Sequence, residues 1–248
     1  MAKYVLLNNV EHKDLKVKTN YSAEYCDGVA SVPTFPTEFG DVQKEYPILL
    51  QKNQETGKYQ PIVLLGFSKG DNLFLKEGAA SVNPGWDARY VPGFVARGPF
   101  LIGFQDQSAQ GGSEREPVIH IDMDNPRVNL EEGEPLFREF GGPSPYLEKV
   151  SNILQGIHEG MAINDAMMAA FESHGLIEPL AIKIELDNGE KYSIEGNYTI
   201  NEEKLRSLSG EALEQLNKIG FLQGAFLIIS SLGNVKKLID IKNATLKM

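Results

Sequence analysis

His120 and Asp122 stand two apart in "PVIHIDM" (117–123), a run that reads as a β-strand. Alternation along a strand puts both side chains on one face. A His-x-Asp pair so placed opens the facial triad of non-haem iron oxygenases, which is completed by a distal histidine. His174 lies far enough downstream, but its pattern puts it at the end of a helix, where the iron fold needs a strand. The iron reading is therefore disfavoured against a plain strand histidine facing solvent. The remaining histidines are isolated: His12 lies in a charged N-terminal segment, and His158 and His174 fall in the last turns of predicted helices, where a cation suits the dipole. Cys26 is the single cysteine, so no intrachain disulfide and no thiolate cluster can form. A small buried hydrophobe is its expected role. No nucleophile elbow, P-loop or dinucleotide fingerprint occurs. No metal and no cofactor is expected.

The second constellation is "NPGWDARYVPGFVARGPF" (83–100), which holds the only tryptophan. If the stretch is extended, Asp87 and Arg89 share a face and can pair, with Trp86 on the other face. Its prolines and glycines favour an irregular loop or strand edge over a helix. An aromatic loop with polar tips suits a ligand site. It equally suits a core corner where indole and phenol find hydrogen-bond partners. Trp86, Asp87, Arg89 and Tyr90, with Asn72 and Asp122, form the candidate ligand- or partner-binding set.

These residues need a frame. In the N-terminal half, "YPILLQK" (46–52), "YQPIVLLGF" (59–67) and "NLFL" (72–75) are short β-rich runs separated by "NQETG" and "SKGD", the pattern of an antiparallel meander. "IVLLGF" is apolar on both faces and so belongs inside a covered sheet. "PFLIGF" (99–104) and "PVIHIDM" form another strand pair, joined by the polar "QDQSAQGGSERE", which reads as a mobile loop.

After "FGGPSP" (140–145), a possible internal boundary, the period changes. Tyr146, Leu147, Val150, Ile153, Leu154 and Ile157 mark one helix face, with Ser144 as N-cap and Pro145 in the first turn. A second helix is expected near 163–174, with Ile163, Met167, Ala170 and Phe171 on one stripe and Gly175 as its stop. "LAIKIELDNGEKYSIEG" (180–196) predicts a hairpin. A three-residue loop Asp187-Asn188-Gly189 sets Ile184 against Tyr192 and Ile182 against Ile194, while a two-residue turn would oppose Asp187 and Glu190. Its apolar face is expected to pack on the 145–157 helix. A long helix, capped by Ser209, is expected from about Gly210 onward. The fold class is α+β: an antiparallel β-rich N-terminal half and a helix-rich C-terminal half, within one domain over 1–248.

Composition sets outer bounds. The chain of 248 residues has 24 Lys and Arg against 34 Asp and Glu, a net charge of −10. An acidic surface without a basic stripe argues against nucleic-acid binding. The N-terminus lacks an apolar export core, so a cytoplasmic location is expected. "IGFLQGAFLIISSLG" (219–233), with its Gly220-x-x-x-Gly224, falls short of the about 20 apolar residues a spanning helix needs. A buried helix whose glycines admit a close neighbour is expected there.

Several stretches together resemble the SapC-like proteins of bacteria. They are "LNNVEHKDLKV" (7–17), "EYPILL" (45–50), "VLLGFSKGDNLFL" (63–75), "WDARYVPGFVARGPF" (86–100), "IDMDNPRV" (121–128), "GEPLF" (133–137), "HGLIEPLAIKIELDNGE" (174–190) and "IISSLGNVKKLI" (228–239). No single stretch is a catalytic signature; their order and spacing carry the likeness. The resemblance implies association with a bacterial surface layer, and company with outer-membrane receptors and flavin-dependent halogenase-like proteins. It carries over no functional residue. It implies a binding or accessory protein of envelope or nutrient-uptake physiology, with a flavoprotein or a receptor system as partner. An enzyme of unknown class in the same setting is the alternative.

Overall fold

The computed structural model describes residues 3–76, 83–106 and 115–247. Its largest sheet has five strands in the order β10-β11-β4-β5-β3. β4 (Ile48–Lys52) and β5 (Tyr59–Leu64) form a hairpin, and β3 (Ser31–Pro33) pairs with the far side of β5. Asn53 Oδ1 accepts from the amides of Glu55 and Thr56 at 2.8 and 2.9 Å and so folds the β4–β5 turn. Ile62 to Leu65 are all buried, as a run apolar on both faces requires. Residues 72–75 are not a strand. The Asn72 side chain takes the amide of Phe74 at 3.1 Å, which bends the chain away from a ladder. Leu75 then makes one isolated bridge to Trp86.

β6 (Phe100–Asp106) and β7 (Arg115–Asp122) pair antiparallel, and β1 (Tyr4–Leu6) lies on the outer side of β7. The mobile loop expected over 105–116 falls, beyond the strand ends, outside the described residues. A third small sheet sets β2 (Lys16–Val17) between β8 (Val128–Asn129) and β9 (Glu134–Pro135). Short helices α1 (Phe39–Val42) and α2 (Gly93–Ala96) lie between strands.

The two helices expected over 145–157 and 163–174 are one, α3 (Pro145–Ser173). Ser144 caps it, accepting from the amide of Leu147 at 3.2 Å, and Gly175 ends it at a φ of 62°. Gly160 serves packing instead of a break: a Cβ there would sit 2.5 Å from Phe35 Cβ. His158 is therefore mid-helix rather than in a last turn, with its ring 4.9 Å from that of Phe104. α3 serves two apolar clusters. Leu147, Val150 and Leu154 join Phe100, Ile121 and Leu136, while Met167, Met168 and Phe171 join the larger core on the five-stranded sheet.

β10 (Ile177–Glu185) and β11 (Lys191–Ile200) are the expected hairpin. Ile184 faces Tyr192, Ile182 faces Ile194, and Gly189 is left-handed at 86°. Its apolar face does not pack on the 145–157 part of α3. Ile184 and Leu186 share the larger core with Ala225, Ile228 and Leu238. Asn243, on α7 (Asn234–Thr245), holds the hairpin loop, accepting from the Asp187 amide at 3.0 Å. The reason is that β11 continues the sheet through β4, which α6 covers.

The expected long C-terminal helix is broken. After α4 (Glu202–Arg206) come α5 (Gly210–Lys218), α6 (Phe221–Ser231) and α7 (Asn234–Thr245). Ser209 caps α5 through the Ala212 amide. Gly220, left-handed at 78°, turns the chain into α6. Gly224 does admit a neighbour: a Cβ there would lie 2.8 Å from Met167 Cε. Among the described residues no single helix is long and apolar enough to cross a membrane; α5 with the following helices reaches that length only across a bend of 94°.

Candidate functional site

The 83–98 segment lies alongside the first half of α3, and two adjoining cavities open between them, about 380 and 320 Å3. Both have Tyr21, Asn83, Ala96, Lys149 and Ile153 in their walls. On α3 the positions Tyr146, Lys149, Val150, Ile153 and Ile157 fall on one face by helical spacing, and they form that wall. The same face continues into Leu147 and Leu154, which are buried. The packing that fixes the helix thus also fixes the cleft.

Trp86 lies behind this surface, fully buried. Its ring is stacked 6.0 Å from Phe74 and set edge-on 5.4 Å from Tyr21, which does reach the cleft. Trp86 Nε1 donates to Tyr46 Oη at 2.8 Å, and the Tyr46 hydroxyl donates to the Tyr90 carbonyl. Trp86 can therefore act on a ligand only through the residues it props. Gly85, left-handed at 83°, is needed beside it because a Cβ there would run 2.1 Å from the Tyr21 carbonyl oxygen.

Two buried or half-buried acids hold the segment in place. Glu38 accepts from Thr34 Oγ1 at 2.7 Å, Tyr90 Oη at 2.7 Å and the Gly93 amide at 2.8 Å. Glu45 Oε1 accepts from the amides of Arg89 and Tyr90, both at 3.0 Å. Burial, and for Tyr90 also the Glu38 carboxylate, raises the phenols of Tyr46 and Tyr90 far above their ordinary value. Burial raises Tyr146 likewise and pushes Tyr21 up to about 12. At neutral pH these phenols are hydrogen-bond donors.

Arg127 forms the floor at one end. Its guanidinium pairs with Asp27, donates to the Lys18 and Asn20 carbonyls, and lies 5.3 and 4.9 Å from the rings of Tyr21 and Tyr25. Burial pushes the Asp27 carboxyl up, and Arg127 and the Ser22 amide pull it back. Asn72 supports this pair by donating to the Asp27 carbonyl at 2.8 Å.

Of the six sequence candidates, Arg89 and Tyr90 line the cleft, and Trp86 and Asn72 are buried behind it. Asp87 does not pair with Arg89; it points outward to Lys76 at 3.5 Å, where the chain turns around Asn83, whose Nδ2 donates to the Ala88 and Arg89 carbonyls. Asp122 is apart, on β7, where it accepts from the amides of Lys3 and Asp124. His120, on the same strand, packs on Gly103, where a Cβ would meet its ring at 2.5 Å. His174 ends α3. Among the described residues no cluster of three His, Cys, Asp or Glu side chains could hold a metal. Cys26 is exposed rather than buried: it closes a short 3₁₀ turn at a φ of 65°, which leaves Asp27 to turn inward.

Glu38, Glu45, Tyr46, Tyr21, Arg127 and Lys149 were not among the sequence candidates. Glu45 and Tyr46 open "EYPILL", and Arg127 sits in "IDMDNPRV"; their presence in matching stretches was the available signal. Lys149 has none beyond its place on the cleft face of α3.

No curated protein and no solved structure matches this chain. The SapC family model matches residues 7–238, which takes in every element of the cleft. On that match the chain belongs to the SapC family.

Proposed function

We propose that this protein is a binding or accessory protein of bacterial envelope or nutrient-uptake physiology, and that it takes its ligand in the α3 cleft. One observation carries the reading. Apart from Lys149 and the Arg89 guanidinium, the main polar groups in and behind the cleft wall are tied to one another, so they make a rigid surface and leave a shaped, partly apolar space in front of it. Trp86, Tyr46, Tyr90 and Glu38 form one bonded chain, and Arg127 and Asp27 form a second. A cleft of this volume, apolar with a few fixed polar groups, suits a small ligand or a short segment of a partner. The flavoprotein or receptor partner implied by the family resemblance belongs to the same reading.

The test fills the space. Ala96 lies in the wall of both cavities and is half-buried, so Ala96→Phe projects a ring into the cleft. Parent and variant are incubated with a small-molecule extract of the source bacterium and recovered, and bound compounds are identified by mass spectrometry. The expected result is a compound retained by the parent with its mass unchanged and lost from a variant that melts normally. Retention by both forms removes the cleft. A compound returned with altered mass replaces the binding reading with the enzyme reading.

A further inference from the structure

We infer that the ligand of this cleft is an organic anion with an aromatic or apolar body, its charge set against Lys149 and Arg89. The inference rests on the binding reading above and specifies its ligand. The chain as a whole is acidic, at −10, yet the two cavities reverse that sign. Their walls carry four basic side chains, Lys18, Arg89, Arg127 and Lys149, against two acidic ones, Glu38 and Glu134. The four bases divide. Lys18 is paired with Glu132 at 2.9 Å and Arg127 with Asp27, so both are committed to the fold. Among the described residues neither the Lys149 ammonium nor the Arg89 guanidinium is paired with a carboxylate (Glu45 holds only the Arg89 amide), and both residues line the cleft bounded by Tyr90 and Ile157.

The acidic side chain in the wall of that cavity is already engaged. Glu38 accepts from three donors of the wall. A cationic cleft with low-dielectric walls focuses the field on an anion that the rest of the surface repels. The phenols of Tyr21 and Tyr146 add hydrogen-bond donors at the same wall. The remaining lining suits an apolar body: Phe35, Val91, Ile153 and Ile157 in the 320 Å3 cavity, Val95 and Val150 in the 380 Å3 one. Each cavity lies near the lower end of the size range of small-ligand sites. One compact organic anion therefore fits better than a long chain or a polyanion.

A matched pair of probes separates charge from shape: 2-naphthoate and 2-naphthamide, titrated into the full-length protein and followed by amide chemical shifts. The expected result is shift changes confined to residues 83–98 and the first half of α3, with naphthoate about tenfold tighter than naphthamide, as one charge-assisted contact in a partly buried site gives. Lys149→Gln combined with Arg89→Gln removes two exposed charges and no packing. It should abolish the preference for naphthoate and leave naphthamide unchanged. Equal affinity of the two probes for the parent, or a preference that survives in the double variant, overturns the anion inference and leaves the cleft standing. Failure of both probes to move any cleft resonance overturns the cleft reading itself, and the inference with it.

Discussion

The hydroxyl of Tyr46 sits between Trp86 and Tyr90, accepting from the indole Nε1 at 2.8 Å and donating to the Tyr90 carbonyl. One phenol thus couples the buried core to the residue that forms the cleft wall. Trp86 is fully buried, so Trp86→Ala should cost about 3–5 kcal/mol in urea denaturation. Tyr46→Phe keeps the ring contact with Phe74 at 4.6 Å but leaves the indole N–H buried without its acceptor. It should cost about 1–3 kcal/mol. A Trp86→Ala protein as stable as the parent would show that the indole is not the prop described here.

Gly156 and Gly160 lie one turn apart on α3 and should respond oppositely to alanine. A Cβ on Gly160 meets Phe35 Cβ at 2.5 Å and Thr37 Oγ1 at 2.7 Å, whereas one on Gly156 meets nothing within 4 Å. Gly156→Ala should raise stability by up to about 1 kcal/mol through helix propensity. Gly160→Ala should lower it by about 1–3 kcal/mol, because α3 must move off the Phe35 segment. Thermal melts of the two variants decide this, and equal shifts would refute the close contact.

α3 was not legible as one helix because its two apolar stripes, 146–157 and 163–171, serve different clusters and do not join in the sequence. Only the approach of Phe35, 125 positions away in the chain, gives Gly160 its purpose. The β10–β11 register, by contrast, could be derived, since alternation and like-charge repulsion between neighbours sufficed to choose the turn. The long helix expected from Gly210 onward failed for a third reason. No proline interrupts 210–233, and nothing in the pattern reveals that the φ of Gly220 is 78°. For the site, Trp86 and Tyr90 drew attention by residue type. Glu38 and Lys149 did not, because their role comes from elements brought together across long separations.

The buried phenols predict an alkaline limit to stability. Tyr21 is pushed up to about 12, and Tyr46, Tyr90 and Tyr146 are raised as well, all chiefly by burial. In the unfolded chain they ionise near their ordinary value of about 10. The folded state therefore binds more protons than the unfolded state above that pH, and stability falls as pH rises. The contribution is whole below pH about 10 and is lost progressively above it. Absorbance at 295 nm should show these four of the nine tyrosines withheld until the fold opens in one cooperative step. Smooth ionisation of all nine before unfolding would contradict the burial.

Removing the Arg127 charge should produce a defect that acid partly repairs. Arg127→Met leaves the Asp27 carboxylate, 9 % exposed, without its cation. Breaking a buried pair from one side costs about 3–5 kcal/mol at neutral pH. Burial already pushes the Asp27 carboxyl up in the parent, and loss of Arg127 takes away the largest opposing influence. The folded-state value in the variant then lies further above the unfolded one. For such a group the stability is whole below the unfolded value, about 3.9, and falls as pH rises through the folded value. The gap between variant and parent should therefore narrow as pH is lowered from 7 towards 4.5. Part of it will remain, because the Lys18 and Asn20 carbonyls lose their donor and the Tyr21 and Tyr25 rings lose the guanidinium at any pH. Urea denaturation at several pH values measures the gap. Adding Asp27→Asn to Arg127→Met should remove its pH dependence, since no ionisable group then remains in the pair. A gap constant from pH 7 to 4.5 in the single variant would mean that packing, and not the stranded carboxylate, sets the cost.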